Sequence, residues 1–600
     1  MKTMNKQTHI LFSLLTTFFI PLGLSAQEKN DSSLIDRNVT VEREFQPVIQ
    51  HAGKIDTQPD VIYINATPHT PTYSFYSNEV VNTDFNFNQI GYATTNFTHA
   101  KPLRGFLRGA FGHVATMADF SYRLTERRDI IFDINANHLA QWGMKTMSHT
   151  QLGFDFSKLF ENTDLYFGAS GKNIYFTRYG RYFNYTDPDK ALGDFSGLRY
   201  RDLSSDDKDS QWEVYTRLGV RSLPGSDLRY KVQTGYEAFI MKQGYIEHII
   251  NSEALFSYQL NDHLFGVEAQ VQNHLNKADM SGFNWRESNR QSGDTVANNY
   301  HAIKAEPYYA YNGNRFSIHA GVNLDFCVGK QKVFLPSPNV TFEAKLTKDW
   351  LALYGGAVGD WRTSSVREHF QIMRYVHAEN ELATSQNRTY IPVDAFLGFK
   401  IRPHQDLLID LYAHYQLTKY DVFLIPDKDG FFNVTGSDHD CWKIGGKIYY
   451  HYQDMVAVTL DGHYNIRHMY TGDNPFFNQD LYQMGLKKNT AIDRDVWNIN
   501  LRIDYKINRK LTIYSANYFA GKHYALAPDN TWTGSKEVVQ AYKIMTFKPT
   551  IDLNLGVEYN FNRWFSTFFQ LNNFLHRKHD VYYGYQTQGI NFLAGVSWTF

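Results

Sequence analysis

The chain of 600 residues balances 60 Lys and Arg against 61 Asp and Glu, a formal net charge of −1. It therefore offers no basic footprint for nucleic acid. Mean hydropathy is −0.45, yet 16% of residues are aromatic, with 41 Tyr and 44 Phe. After roughly the first 25 residues no apolar run reaches about 18, so spanning helices are excluded. A polar, aromatic-rich chain of this kind fits a transmembrane β-barrel, whose lumen-facing half is polar.

The first residues read as an export signal. Lys2 and Lys6 supply a basic start, residues 10–24 form an apolar stretch broken by Ser13, Thr16, Thr17 and Pro21, and Ser25-Ala26-Gln27 offers a small-residue cleavage site. Residues 1–26 are expected to be removed in the periplasm. No Cys lies near the cut, which excludes a lipoprotein anchor. Residues 27–100 hold Pro47, Pro59, Pro68 and Pro71 with little periodicity and read as an extended segment.

From residue 101 to 600 one pattern repeats: a run of about ten alternating residues, then a turn. Leu553, Leu555, Val557, Tyr559 and Phe561 share one face, opposite Asp552, Asn554, Glu558 and Asn560. Trp497, Ile499, Leu501, Ile503 and Tyr505 stand in the same way opposite Asn498, Asn500, Arg502, Asp504 and Lys506. Tight turns are expected at 125–129, 160–164, 223–227, 259–263, 311–315, 346–350, 402–406, 451–454, 507–510 and 561–563, with the Asn, Asp, Gly and Pro chemistry of short hairpins. Long polar segments such as 177–210, 277–298, 364–388 and 468–490 lie between them. Short periplasmic turns and long outer loops, with both termini periplasmic, give an all-β antiparallel barrel of about 22 strands, within a range of about 20–24.

The final strand places Phe592, Ala594, Val596, Trp598 and Phe600 on one face and stops on an aromatic carboxy-terminus. Phe592, Val596, Trp598 and Phe600 are thus the expected signal for the barrel-assembly machinery. Cys327 and Cys441 fall on strands five apart, near the outer rim and facing the lumen, too distant to bridge.

The closing segment, Asn572-Asn573-Phe574 through Tyr583-Gly584-Tyr585 to Gly589-Ile590-Asn591-Phe592, resembles the last hairpin of TonB-dependent outer-membrane receptors, with Ile590 where Arg is common. The leader residues Val39, Val41, Phe45, Pro47, Ile49, Ala52, Lys54, Ile55 and Pro59 resemble those of a Bacteroidota group of TonB-receptor-like barrels. The resemblance implies an outer-membrane transport barrel with TonB as a partner. A full receptor carries a plug domain ahead of its barrel; here only 27–100 is available, so no full plug is expected. Val39, Thr40 and Val41 are read either as a TonB-box-like strand that adds to a partner's sheet or as a docking or lumen-lining strand.

Twenty-two strands close to a cylinder roughly 40 Å across, too wide for side chains to fill. Something must therefore close it: the 27–100 segment, inward-folded outer loops, or a partner. Lumen charges of both signs, among them Arg502, Asp504, Lys506, Asp461, His463, Asp410, His414 and Glu558, either pair with one another along a wet wall or meet cargo or the leader's Arg37, Glu42, Arg43 and Glu44.

No nucleophile elbow, zinc-binding H-E-x-x-H or P-loop is present, so no enzyme, cofactor or metal site is expected. His439-Asp440-Cys441 is read as a cluster at a loop end. Three readings stay open: a transport barrel with non-standard gating, a non-conducting scaffold that anchors a periplasmic or surface protein, and a large diffusion porin.

Overall fold

The structure, a computed structural model, describes residues 104–600 apart from 126, 128, 143–145, 178–207, 224–225, 243–244, 280–294, 298, 330–331, 349, 364, 377–387, 427–431, 471–480, 482–484 and 533–537. The expected signal peptide, the 27–100 segment and Val39, Thr40 and Val41 lie outside the described residues.

Twenty-two antiparallel strands run in chain order from Gly105–Gly112 to Asn591–Thr599 and join end to end. Each pairs with its sequence neighbour, and the first pairs with the last in the register Phe106↔Thr599 to Gly112↔Leu593. A three-residue piece, Thr295–Ala297, pairs with the Lys277–Asp279 end of His263–Asp279. Two small hairpins stand apart from the barrel sheet, His523–Trp532 with Val538–Phe547 and Asp580–Tyr582 with Tyr585–Gln586. Among the described residues no helix is long and apolar enough to cross a membrane.

All ten tight turns fall where the sequence places them, on the rim shared by Gly105 and Phe600. The opposite rim is less uniform than the alternation of tight and long turns suggested. Strands Gly105–Gly112 and Ala115–Arg123 are joined there by two residues, and Phe316–Val328 and Lys332–Lys345 by three. Only some of the connections on that rim are long.

Period-2 alternation sets the two surfaces. Leu397, Leu411, Trp442, Ile444, Tyr464 and Leu555 stand outward and exposed, whereas Asp394, His414, Cys441, Asn465 and Asp552 on the same strands are buried toward the interior. An apolar outer face costs nothing in lipid, and a paired ladder leaves no backbone group unsatisfied there. Lumen tyrosines lie flat over the glycine opposite: Tyr354 covers Gly398 and Tyr308 covers Gly266, so each ring fills the space that the missing side chain leaves.

The seam is sealed at the chain's end. The Phe600 carbonyl accepts from the amides of Arg104 and Gly105 at 2.6 and 2.7 Å, and the Phe600 amide donates to the Gly105 carbonyl at 2.9 Å. The Phe600 ring lies where a Cβ on residue 105 would stand, which explains glycine at that position. Phe592, Val596, Trp598 and Phe600 all face outward on this last strand, and Trp598 packs on Phe600 with ring centroids 5.1 Å apart.

Lipid and lumen faces should respond differently to charge. Leu397 is 49% exposed on the outer face near mid-strand. Leu397→Arg should destabilise the barrel by about 2–4 kcal/mol, the cost of a guanidinium near the bilayer midplane. Thr459→Arg on the lumen face of Val456–Tyr470 should change it by no more than about 0.5 kcal/mol. Equilibrium guanidinium unfolding in lipid vesicles measures both.

Candidate functional site

The candidate site is the lumen and the roof over its long-loop end. Along the wall, the ionisable residues read from the sequence pair mainly with neighbouring wall residues. Arg502 makes a two-pronged bond to Asp504 at 2.7 and 2.8 Å, and Lys447 stands 3.7 Å from Asp461. His414 Nδ1 lies 3.1 Å from Asp394, the Tyr354 hydroxyl donates to Asp410 at 2.6 Å, and Asn498 meets His463 at 3.3 Å. Lys400 with Glu343 and Arg217 with Asp155, both at 2.7 Å, complete the same pattern. Apart from Arg502 and Asp504, which share one strand, this is cross-strand pairing of a wet wall.

The roof begins with one helix, Val366–Ile372, in the connection after Leu351–Thr363. Ser365 caps it: its hydroxyl accepts from the Glu368 amide, and the Glu368 carboxylate accepts from the Ser365 amide, both at 3.1 Å. This reciprocal capping box satisfies two amides that a seven-residue helix would otherwise leave bare. The Ser365-x-x-Glu368 spacing was a legible signal that the sequence reading missed.

Residues 365–376 form a strap that crosses the lumen. They leave the thirteenth strand, yet the Arg367 amide donates to Glu247 Oε2 at 3.1 Å on the eighth strand, Tyr245–Leu260. The Arg367 guanidinium bonds Glu237 on the seventh, Leu228–Met241. Burial works against the Arg367 charge, but Glu237, Glu213, Glu368 and Glu247 around it more than offset that, and its pKa is raised. Phe370 packs on Phe239 with ring centroids 5.8 Å apart. Further on, the Tyr375 hydroxyl donates to the Thr177 carbonyl at 3.2 Å on the fifth strand, Thr163–Thr177. Tyr375 also stacks on Tyr585 of the last loop at 4.9 Å, and its carbonyl accepts from the Phe432 amide at 2.8 Å.

Two apolar clusters lock the roof. One joins Ile174 and Phe176 of the wall, Met373, Tyr375 and Val376 of the strap, Leu424 and Phe432, and Tyr582 and Tyr585 of the last loop. The other joins Phe423 and Ile425, Met469, then Leu481, Leu486, Ala491 and Ile492, and Tyr524 and Leu526. Phe423 and Leu424 are neighbours in sequence, so the outer end of the hairpin formed by Leu407–Pro426 and Phe432–Tyr452 is buried on both faces between the clusters. Membrane-spanning alternation has ended there.

The second cluster is tied to the hairpin by Arg494, whose Nη2 donates to Asp421 Oδ2 at 3.1 Å and to the Val422 carbonyl at 3.0 Å. Burial pushes the neighbouring Asp493 carboxyl up to about 7, with Arg494 and the Leu424 amide pulling the other way. Burial likewise pulls His523 down to about 4.

Two placements differ from expectation. His439, Asp440 and Cys441 are not at a loop end: the strand continues outward to Phe432, so His439 and Cys441 point inward and the Asp440 carboxylate accepts from the Tyr470 hydroxyl at 2.6 Å on the other face. Cys441 therefore sits well below the rim, for the same reason. Both cysteines are buried and unbridged. Among the described residues no group of three or more His, Cys, Asp or Glu is arranged to hold a metal.

No family model matches the chain, and no curated protein matches it. Solved structures do. The ferripyoverdine receptor of the outer membrane of Pseudomonas aeruginosa is 11% identical, with a TM-score of 0.59 over 84% of this chain and 73% of that one. The ferric-catecholate import receptor Fiu of Escherichia coli K12 is 10% identical, with a TM-score of 0.58 over 84% of this chain and 82% of that one. The siderophore receptor PiuA of Acinetobacter baumannii gives the same identity, score and coverage. At this identity the likeness shows the fold: a closed 22-strand antiparallel barrel.

Removing the Arg367 side chain should loosen the strap by roughly 1.5–3 kcal/mol, the worth of hydrogen bonds to a charged group. With Cys327→Ser and Cys441→Ser, a Phe370→Cys thiol should react slowly with a maleimide, because Phe370 is buried. Adding Arg367→Ala should speed that labelling by about tenfold or more.

Proposed function

We propose that this chain is an outer-membrane receptor-type transport barrel whose outer mouth is closed by its own inward-folded loops. The observation that supports it most is the 365–376 strap, which spans from the thirteenth strand to the fifth, seventh and eighth within a barrel of siderophore-receptor fold. Residues 1–26 serve as the export signal, 27–100 as an extended periplasmic or lumen segment, and 101–600 as the barrel. The tight turns and both termini lie in the periplasm.

In this reading the gate is non-standard: the strap and hairpin tip do at the outer mouth what a plug does inside the lumen. Val39, Thr40 and Val41 form a strand that either docks or lines the lumen or adds by edge pairing to the sheet of a TonB-type partner. Phe592, Val596, Trp598 and Phe600 are read by the barrel-assembly machinery before the seam closes. The siderophores of the similar receptors suggest a cargo that is a chelated metal or a comparably bulky solute.

The test is conductance in planar bilayers. The full chain should stay closed, and a variant with residues 366–374 replaced by an equal length of Gly and Ser should pass a steady current about tenfold larger or more. Steady conduction by the full chain would instead make it a diffusion porin, and silence in both would remove the strap as the gate.

A further inference from the structure

Two neighbouring tight turns are built alike. Ile507-Asn508-Arg509-Lys510-Leu511 joins the eighteenth strand, Trp497–Lys506, to the nineteenth, Leu511–Ala520. Phe561-Asn562-Arg563-Trp564-Phe565 joins the twentieth, Thr550–Asn560, to the twenty-first, Phe565–Asn572. In each, the first amide donates to the last carbonyl, Ile507 to Leu511 at 2.9 Å and Phe561 to Phe565 at 3.0 Å. In each, the asparagine side chain accepts from the amides two and three residues on. These are Lys510 and Leu511 at 2.8 and 3.0 Å, and Trp564 and Phe565 at 2.8 and 2.9 Å. An asparagine that caps its own turn fixes the residue after it at the tip, so Arg509 and Arg563 hold equivalent places.

The two turns also stand out by charge. Seven of the other eight tight turns contain an Asp or Glu, and only 311–315 shares their lack of one. In the 125–129 turn, Asp129 takes both Arg127 and Lys158. Arg509, Lys510 and Arg563 are exposed, and among the described residues no carboxylate pairs with any of them. The nineteenth and twentieth strands pair directly, so the turns are next to each other on the rim, with tips about 10 Å apart, two strand widths.

Just above these cations lies an outward belt of exposed apolar and aromatic side chains: Tyr505, Ile507, Phe561, Trp564 and Phe565. Rings in such a belt sit at the level of the lipid headgroups. The Arg563 guanidinium lies over the Trp564 ring, 4.8 Å from its centroid, so this cation is held against a lipid-facing side chain. Stacking occupies one face of the guanidinium and leaves its N–H edge open to an anion. The headgroup layer is roughly 5–7 Å deep on each side of the hydrocarbon. Arg509 lies two residues past Ile507, which at the rise and tilt of barrel strands is roughly 5 Å along the membrane normal. Its charge therefore ends among headgroup phosphates, which favours lipid over a soluble partner. We propose that the two turns form a binding patch for anionic phospholipid in the leaflet at the tight-turn rim. Arg509, Lys510 and Arg563 take the headgroup, and the belt above them packs on the acyl chains. The patch goes beyond the transport reading and stands whether or not the roof closes the lumen.

Native mass spectrometry of the full chain in detergent, titrated with phosphatidylglycerol or phosphatidylcholine, tests this. A cation beside an anionic lipid surface contributes about fivefold in affinity, so the parent should hold phosphatidylglycerol about tenfold or more tighter than phosphatidylcholine. Equal affinity for the two lipids overturns the proposal and leaves the cations to a protein partner. Arg509→Gln, Lys510→Gln and Arg563→Gln together should bring the ratio down to about twofold or less. Asn508 and Asn562 keep both turns capped in that variant, and its mobility on unheated gels checks that the barrel is folded. A folded triple variant that keeps the preference overturns the patch. So does an equal loss from Arg315→Gln, in the other turn without an acid, which should leave the ratio unchanged. Arg509→Lys with Arg563→Lys retains every charge and should retain most of the preference; its loss there overturns charge as the cause.

Discussion

Everything in this molecule follows from the requirement that each backbone N–H and C=O facing lipid find a partner within the protein. A spanning sheet meets it only by closing on itself, because an open edge would leave a row of unpaired groups in hydrocarbon, each costing several kcal/mol. The chain satisfies it where Gly105–Gly112 meets Asn591–Thr599 and the Phe600 carbonyl accepts two amides. Outward side chains are then free to be apolar and inward ones polar, and the composition follows from that division. The abundance of tyrosine has a local cause as well, since rings such as Tyr354 and Tyr308 cover glycines on the facing strand while their neighbours carry the wall's charges.

Closure creates a second problem, a lumen too wide to fill. The wall uses its charges in local pairs such as Arg502 with Asp504, which leaves the long-loop mouth to be closed by something apolar. In the proposed reading, strand ends close it. The hairpin tip around Phe423 and Leu424 stops alternating between lipid and lumen and becomes a layer buried on both faces, with the strap on one side and the 486–492 segment on the other.

How much of this was legible in the sequence depended on range. The ten tight turns were readable because Asn, Asp, Gly and Pro set a turn's geometry within four or five residues. The strand count and the two faces were readable from the pattern of single strands such as Thr550–Asn560. The roof was not, because its bonds are distant: Arg367 finds Glu247 and Glu237 at separations of 120 and 130 residues. Local clues existed, namely Ser365 with Glu368 as a capping box and Pro392 inside an otherwise alternating strand. Neither says what the segment touches. The depth of Cys441 was misjudged because strands Leu407–Pro426 and Phe432–Tyr452 run past the membrane, and alternation alone does not reveal where lipid ends.

The seam is the most direct test of the closed cylinder. Phe106 and Thr599 face each other across it next to the hydrogen-bonded Gly105 and Phe600 pair, in a position where side chains approach closely. With Cys327→Ser and Cys441→Ser, a Phe106→Cys, Thr599→Cys chain in membranes should form an intramolecular disulfide on mild oxidation and keep its folded mobility on unheated gels. A Phe106→Cys, Thr567→Cys pair, one strand too far, should not. Failure of the first pair to bridge, or equal bridging by the second, contradicts a sheet closed by its first and last strands.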